Sequence, residues 1–454
     1  MFFLSDSVLA LARADARIDR PALLALWKSH SAGLSSLAPV PGDALSLRIG
    51  SAPVLARDGA AYAVNVTEDG VSLVGADERA LLDGYFDLIS RICLPEPGKA
   101  ALPCGAFYGR ARVERRMVHF CVFPETELWQ LERIIRFAAS QRITHLILEF
   151  WGMLRYDVLP ELAWPHAFTK EQIRPLLHLA EELGLSVIPQ FNHWGHATGA
   201  RVLHGKHVVL DQNPSLAYLF SPDGWCWNFE RPETLALLRR VREEWRELLP
   251  RAEAFHIGCD EAYSFTRTPR EVDAVASFIN QTRRDLAQSG RETILWADML
   301  LSPHAAYRRD NAYFTLAPDE AAEADILSRL DRELILADWQ YEARRAPIET
   351  AQTLQQAGFR VIACSWDRSE ANVAAILRTG ADCGLYGVCH TTWHTLTGGM
   401  PLLWRMAAGC WSEQDALCSP TEGLVRAAAA LRSACPVSGY EKAGWAPKEI
   451  GVIV

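Results

Sequence analysis

From about residue 113 onward, short apolar runs alternate with longer stretches whose apolar residues recur at three- and four-residue spacing. The short runs predict strands over 118–122, 145–150, 186–191, 254–260, 293–299, 334–340, 360–366 and 383–392. The longer stretches predict helices between most of them, clearest over 128–140, 170–183, 232–249 and 270–289. Thr169 with Gln172 three residues later reads as a capping box, and Gly184 as the stop before the next strand. Eight strands, most followed by a helix, in about 300 residues predict an α/β fold of the (β/α)8 barrel type. An open doubly wound sheet would give fewer repeats and a Gly-rich first turn, which is absent.

Residues 1–112 are less regular. A helix is expected over 19–28, with Asp19 as its cap and Pro21 in its first turn. The segments 62–66 and 71–74 alternate around Thr67-Glu68-Asp69-Gly70, a hairpin signal. Asp77 is placed to cap a helix that continues to about Ile92. These features predict a small α+β accessory domain with an antiparallel sheet over 1–112. Pro95, Pro97, Gly98, Pro103 and Gly105 mark the connection to a barrel with C-terminal helices over 113–454.

Composition narrows the function classes. The formal net charge of −9 leaves no basic footprint for nucleic acid. No run of about 18 apolar residues suggests a membrane span. The start, Met1-Phe2-Phe3-Leu4-Ser5-Asp6, lacks the basic residues of a signal peptide, so a cytoplasmic location is expected. The 11 cysteines are scattered without a CxxC pair and read as reduced thiols, with Cys121, Cys259, Cys364, Cys383 and Cys389 inside predicted strands. Fifteen tryptophans are unusual.

In a barrel, function gathers at the C-terminal strand ends. Those ends read Glu149-Phe150-Trp151, Asn192-His193-Trp194-Gly195-His196, Asp260-Glu261, Trp296-Ala297-Asp298, Asp338-Trp339-Gln340-Tyr341, Trp366-Asp367 and Thr392-Trp393-His394. Indole faces with carboxylates between them suit a sugar, whose C–H faces stack and whose hydroxyls need polar partners. Asp260 and Glu261 organise the set. Neighbours at a strand end are expected to point in different directions, so they are poorly placed to flank a glycosidic bond. They suit a scheme in which the sugar's own 2-acetamido group attacks, one acid steadying it and the other protonating the leaving oxygen. Enclosure by tryptophan is expected to keep that acid protonated.

His256-Ile257-Gly258-Cys259-Asp260-Glu261 resembles the catalytic motif of glycoside hydrolase family 20, the β-N-acetylhexosaminidases. The stretch from Val187 to His196 resembles the family's preceding strand, and Trp296, Trp339 and Trp393 fall where the family places pocket tryptophans. The resemblance covers nearly the whole chain. It implies a retaining exo-acting enzyme that forms an oxazolinium intermediate and needs no cofactor, since this family departs from the two-carboxylate scheme. Asp260 would orient the acetamido group; Glu261 would be general acid, then base. A glycan or glycoconjugate with a terminal 2-acetamido sugar would be the partner, and a homo-oligomer is an open option.

The chain also departs from the family pattern. Cys121 and Pro124 stand where the first strand usually carries a hydroxyl-gripping Asp and Arg, and His394-Thr395 stand where an acid often follows the last tryptophan. The hydroxyl contacts are therefore expected to be rebuilt, with Glu149, Asn192 and His119 as candidates. Tyr341 and Asp367 are candidates for the acetamido group, and Trp366 for the pocket wall. Preference for GalNAc over GlcNAc, or for a modified sugar, stays open.

His193, His196, His204 and His207 invite a metal reading, but a strand end and loop lack the helix geometry of the zinc-protease motif, and no metal is expected. His196 is expected to bond a carboxylate or backbone beside the acids, and Cys259 to be a buried small residue rather than a nucleophile. Arg115-Arg116 is expected to be a solvated face. A catalytically silent sugar-binding barrel is the competing function.

Overall fold

A computed structural model describes residues 1–3, 45–49, 59–96, 99–197, 213–263, 267–303, 315–393 and 399–434. The expected helix over 19–28 lies outside the described residues, as do His204, His207, His394 and Thr395.

Two sheets precede the barrel. β1 (Phe2–Phe3) pairs with β6 (Lys99–Leu102), which pairs with β5 (Cys93–Glu96). The second sheet has the order β2-β4-β3-β7, from β2 (Leu45–Ile49), β3 (Tyr62–Val66), β4 (Val71–Gly75) and β7 (Gly105–Gly109). The hairpin pairs Val66 with Val71 and is antiparallel. The sheet as a whole is mixed rather than antiparallel, because β2 runs parallel to β4. Helix α1 (Glu78–Ser90) packs on it, its Asp77 cap accepting from the amide of Ala80.

The remaining strands close a parallel barrel: β8 (Arg116–Val122), β9 (His145–Phe150), β10 (Ser186–Gln190), β11 (Ala254–His256), β12 (Glu292–Trp296), β13 (Ile335–Trp339), β14 (Arg360–Ser365) and β15 (Gly387–Thr391). β15 pairs back onto β8. Helices α2 (Leu128–Ser140), α3 (Lys170–Glu182), α4 (Pro232–Leu248), α5 (Pro269–Gln288), α6 (Glu320–Arg329), α7 (Glu349–Gln356), α8 (Glu370–Asp382) and α9 (Met400–Gly409) follow the strands in turn. Two more, α10 (Glu413–Ala416) and α11 (Pro420–Ala434), end the described chain. Alternation along each strand makes two cores. One lies between strands and helices, and the other fills the barrel with Met117, Ile147, Ile188, Ile294, Ile335 and Ile362.

Two strand expectations were too long for identifiable reasons. Cys383 is not in a strand: it caps the C-terminal end of α8, and β15 begins only at Gly387. β11 stops at His256, because Gly258 and Cys259 have φ of 65° and 75°, values that no strand accommodates. Among the described cysteines all are free thiols, six of them buried. Among the described residues no helix is long and apolar enough to cross a membrane.

Arg116 is not solvated; it is 2% exposed. Its guanidinium donates to Asp83 of α1 (2.8 Å) and to the carbonyls of Val113, Glu114 and Arg142, and lies over the Trp411 ring. Burial lowers the Arg116 pKa and Asp83 opposes that shift. Arg79 joins the same carboxylate and also donates to the carbonyl of Gly184, two residues before β10. These contacts anchor α1 at the strand-start face of the barrel, opposite the end that carries the acids.

Removing one partner of a buried ion pair strands the other charge, so Asp83→Ala should cost about 3–5 kcal/mol of unfolding free energy. Denaturant titration checks this; a loss below 1 kcal/mol would mean that Arg116 is held by the carbonyls alone.

Candidate active site

The turn after β11 carries the two acids. Gly258, Cys259 and Glu261 all have positive φ, and His196 across from them has φ of 56°. Such conformations are costly outside glycine and persist only where the surroundings hold them. Here they are held closely. A Cβ on Gly258 would lie 2.0 Å from Asn192 Oδ1, and one on Gly195 would lie 1.9 Å from the Asp260 carbonyl. Only glycine lets the β10 and β11 loops approach this far.

Asp260 is buried, and Asn192 Nδ2 donates to its Oδ1 at 2.7 Å. Gln190 in turn donates to Asn192 Oδ1 (3.2 Å), which sets the orientation of that amide. His196 Nε2 lies 3.4 Å from Asp260 Oδ2 and 3.2 Å from Glu261 Oε2. The two carboxylates therefore do not diverge as strand alternation would have them; the left-handed turn brings both to one imidazole. They differ in access: the Glu261 side chain keeps 28% exposure against 7% for Asp260.

Glu261 is fixed through its backbone. Its amide donates to Asp298 Oδ2 (3.0 Å) and its carbonyl accepts from Trp225 Nε1 (2.6 Å). Asp298 Oδ1 also accepts from Trp339 Nε1 (3.2 Å), so one carboxylate ties an acid's backbone to an indole. The Trp225 ring lies 4.5 Å from that of His196.

The aromatic residues form a connected wall. Trp296 contacts Trp393 at 5.5 Å and His256 at 4.3 Å, and Tyr341 lies 5.2 Å from Trp339 and 5.3 Å from Trp366. The Tyr341 hydroxyl accepts from Trp393 Nε1 and pairs with Thr391 Oγ1 at 3.0 Å, joining the two halves of the wall. Asp367 sits half-buried in the loop beyond Trp366. Glu149 faces the barrel interior on the far side, 3.1 Å from His119 Nε2, with Cys121 Sγ 3.7 Å from the same carboxylate oxygen.

Asp298, Trp225 and Gln190 were not singled out from sequence. Asp298 carried a readable signal, being an acid two residues past Trp296 on the same side of the strand. Trp225 carried none, because it reaches the site from the long segment before α4. Asp338 carries the opposite lesson. It faces outward, accepts from Thr350 Oγ1 (2.6 Å) and Gln340 Nε2 (2.8 Å), and burial pushes its carboxyl up to about 6.

The histidine cluster splits. His193 points away from His196, with Nδ1 on the Phe191 carbonyl and Nε2 accepting from Arg242; burial and Arg242 hold its pKa well below the ordinary value. The two share no ligand position. The Cys259 thiol is pushed well up by burial, then by Asp260 and Asp298, which suits packing rather than attack.

The model of the glycosyl hydrolase family 20 catalytic domain matches residues 147–369. Bovine hexosaminidase D is 33% identical over 119 residues, 26% of this chain, and the matched stretch spans only 32% of that protein. Among solved structures, the family 20 β-N-acetylhexosaminidase from Streptomyces coelicolor A3(2) superposes with a TM-score of 0.66 at 16% identity, covering 95% of this chain and 93% of that one. Flavobacterium johnsoniae chitobiase gives 0.67 at 16% identity, covering 95% and 70%. At such identities the superpositions establish the shared fold. The matched span runs from β9 to the loop after β14 and does not include β8 or β15, which are neighbours in the closed barrel. Over residues 147–369, from β9 to the loop after β14, the barrel matches the glycosyl hydrolase family 20 catalytic domain.

Proposed function

We propose that the chain is a retaining exo-β-N-acetylhexosaminidase acting on glycans with a terminal β-linked GlcNAc or GalNAc. The observation that carries this reading is the convergence of a buried and a half-exposed carboxylate on His196. Asp260, fixed by Asn192, accepts from the acetamido N–H and steadies the positive charge as the carbonyl oxygen attacks the anomeric carbon. Glu261, open towards the mouth, protonates the leaving oxygen. It then takes a proton from the water that opens the oxazolinium, so the configuration is retained. An attacking group already attached to the sugar saves on the order of 7–11 kcal/mol of orientational cost in well-aligned model reactions. The wall of Trp296, Trp339, Tyr341, Trp366 and Trp393 supplies stacking faces for the pyranose. The names of the relatives agree with the activity class.

Aryl β-GlcNAc and β-GalNAc substrates should be hydrolysed, and a thiazoline mimic of the oxazoline should inhibit. Aryl β-glucoside and β-galactoside should be slower by several orders of magnitude. Equal rates on the glucoside would eliminate acetamido participation. Hydrolysis of neither acetamido substrate, with the thiazoline still bound, would favour the silent sugar-binding barrel.

Glu261→Gln should slow substrates with poor leaving groups far more than those with good ones, since only the former need the proton. Asp298→Ala should behave differently. It loosens both the Glu261 backbone and the Trp339 indole, so kcat should fall on the order of 100-fold whatever the leaving group. A leaving-group-dependent loss in Asp298→Ala would contradict this positioning role.

A further inference from the structure

We propose that His119, Cys121 and Glu149 bind a zinc ion at the edge of the pocket, with a remaining coordination position for a sugar hydroxyl. The hydroxyl contact rests on the hexosaminidase reading; the metal site does not.

The three donors sit on two paired strands. His119 and Cys121 are two residues apart on β8 and so share a face, and Glu149 on β9 is the register partner of Cys121. All three are buried, and their donor atoms lie within 4.8 Å of one another. Nε2 to Oε2 is 3.1 Å, Sγ to Oε2 is 3.7 Å and Sγ to Nε2 is 3.9 Å. Zinc bound tetrahedrally at its usual distances to nitrogen, oxygen and sulfur sets donor separations of about 3.3 to 3.6 Å. The observed triangle departs from that face of a tetrahedron by a few tenths of an ångström, and rigid strands hold it there.

The donor chemistry selects the metal. A thiolate and an imidazole favour zinc over magnesium or calcium, which seek shells of oxygen. Charge also balances: Zn2+ against one thiolate, one carboxylate and a neutral imidazole sums to zero, which burial requires. On binding, the Cys121 proton leaves to solvent, the His119 imidazole takes the tautomer with its proton on Nδ1, and the His119–Glu149 hydrogen bond is exchanged for two bonds to the metal. A plain His–Glu pair with a packing cysteine needs no thiol within 4 Å of both partners.

The location gives the ion a role. The His119 ring lies 4.5 Å from Trp393 and 5.6 Å from Trp296, so the cluster borders the aromatic wall. By the resemblance drawn from sequence, Cys121 also stands where the family's first strand usually carries its hydroxyl-gripping acid. A Lewis-acidic ion there holds a hydroxyl that the missing Asp and Arg do not.

The test uses the full chain, stripped by chelation and then titrated with Zn2+ against a chromophoric chelator, with Co2+ as a spectroscopic substitute. One zinc per chain is expected, together with a sulfur-to-cobalt charge-transfer band. Cys121→Ser should abolish the band and weaken zinc binding on the order of 100-fold or more, beyond the loss typical of outer-shell changes. Glu149→Gln provides a second variant should Cys121→Ser fail to fold. Stripping the wild-type chain should raise KM for an aryl β-GlcNAc about tenfold with less change in kcat, the mark of lost substrate binding. No zinc uptake by the wild-type chain, or uptake unchanged in both variants, overturns the site even if hydrolysis is intact. Zinc uptake by a chain that hydrolyses nothing upholds the metal site and sinks only the hexosaminidase reading.

Discussion

Everything at the mouth of this barrel depends on a backbone turn that the chain would not adopt alone. Positive φ at Gly258, Cys259 and Glu261 places the two acids side by side. Non-glycine residues resist this region by roughly 1–3 kcal/mol each, so the surroundings must over-determine it. They do so from four directions. Asn192 grips the Asp260 carboxylate, Gly195 permits close backbone approach, Asp298 accepts the Glu261 amide, and Trp225 donates to the Glu261 carbonyl. Asn192, Gly195 and Trp225 belong to the long connection between β10 and α4, and Asp298 to the turn after β12. The turn is therefore a property of the assembled barrel, and the acids are positioned before any ligand arrives.

The rest of the fold keeps that assembly rigid. Its isoleucine-rich interior fills the lower barrel, and the buried Arg116–Asp83 pair anchors α1 at the strand-start face. The N-terminal sheet thus braces one end and leaves the other open to ligand. This division lets the mouth change chemistry without cost to the base. The wall carrying Asn192, Asp260, Asp298 and Trp339 lies within the family match, while β8 and β15, which adjoin, lie outside it.

Hydrophobic periodicity was enough to read the barrel, because each strand and helix buries one face and the period records which. The acids and the aromatic strand ends were legible for a related reason: in this fold a strand end is an address. The length of β11 was not legible. An apolar run through Ile257 and Cys259 looks like strand, and nothing local announces left-handed backbone at a cysteine. Arg116 shows the same limit, since its partner Asp83 is distant in sequence and a surface arginine looks identical until the two are packed. Asp338 looked like a pocket acid by its place at a strand end, yet alternation turns it outward to Thr350.

The one-dimensional pattern thus determined the kind of fold, the neighbourhood of the candidate site and the residue types available there, all of which follow from periodicity and chain order. Only tertiary structure decided which side chains meet. It brought Asp260 and Glu261 to one imidazole, recruited Asp298 and Trp225 as anchors of the Glu261 backbone, and gathered His119, Cys121 and Glu149 into a single cluster. Those encounters depend on barrel closure and strand register, which join residues far apart in the chain, and no local spacing encodes them.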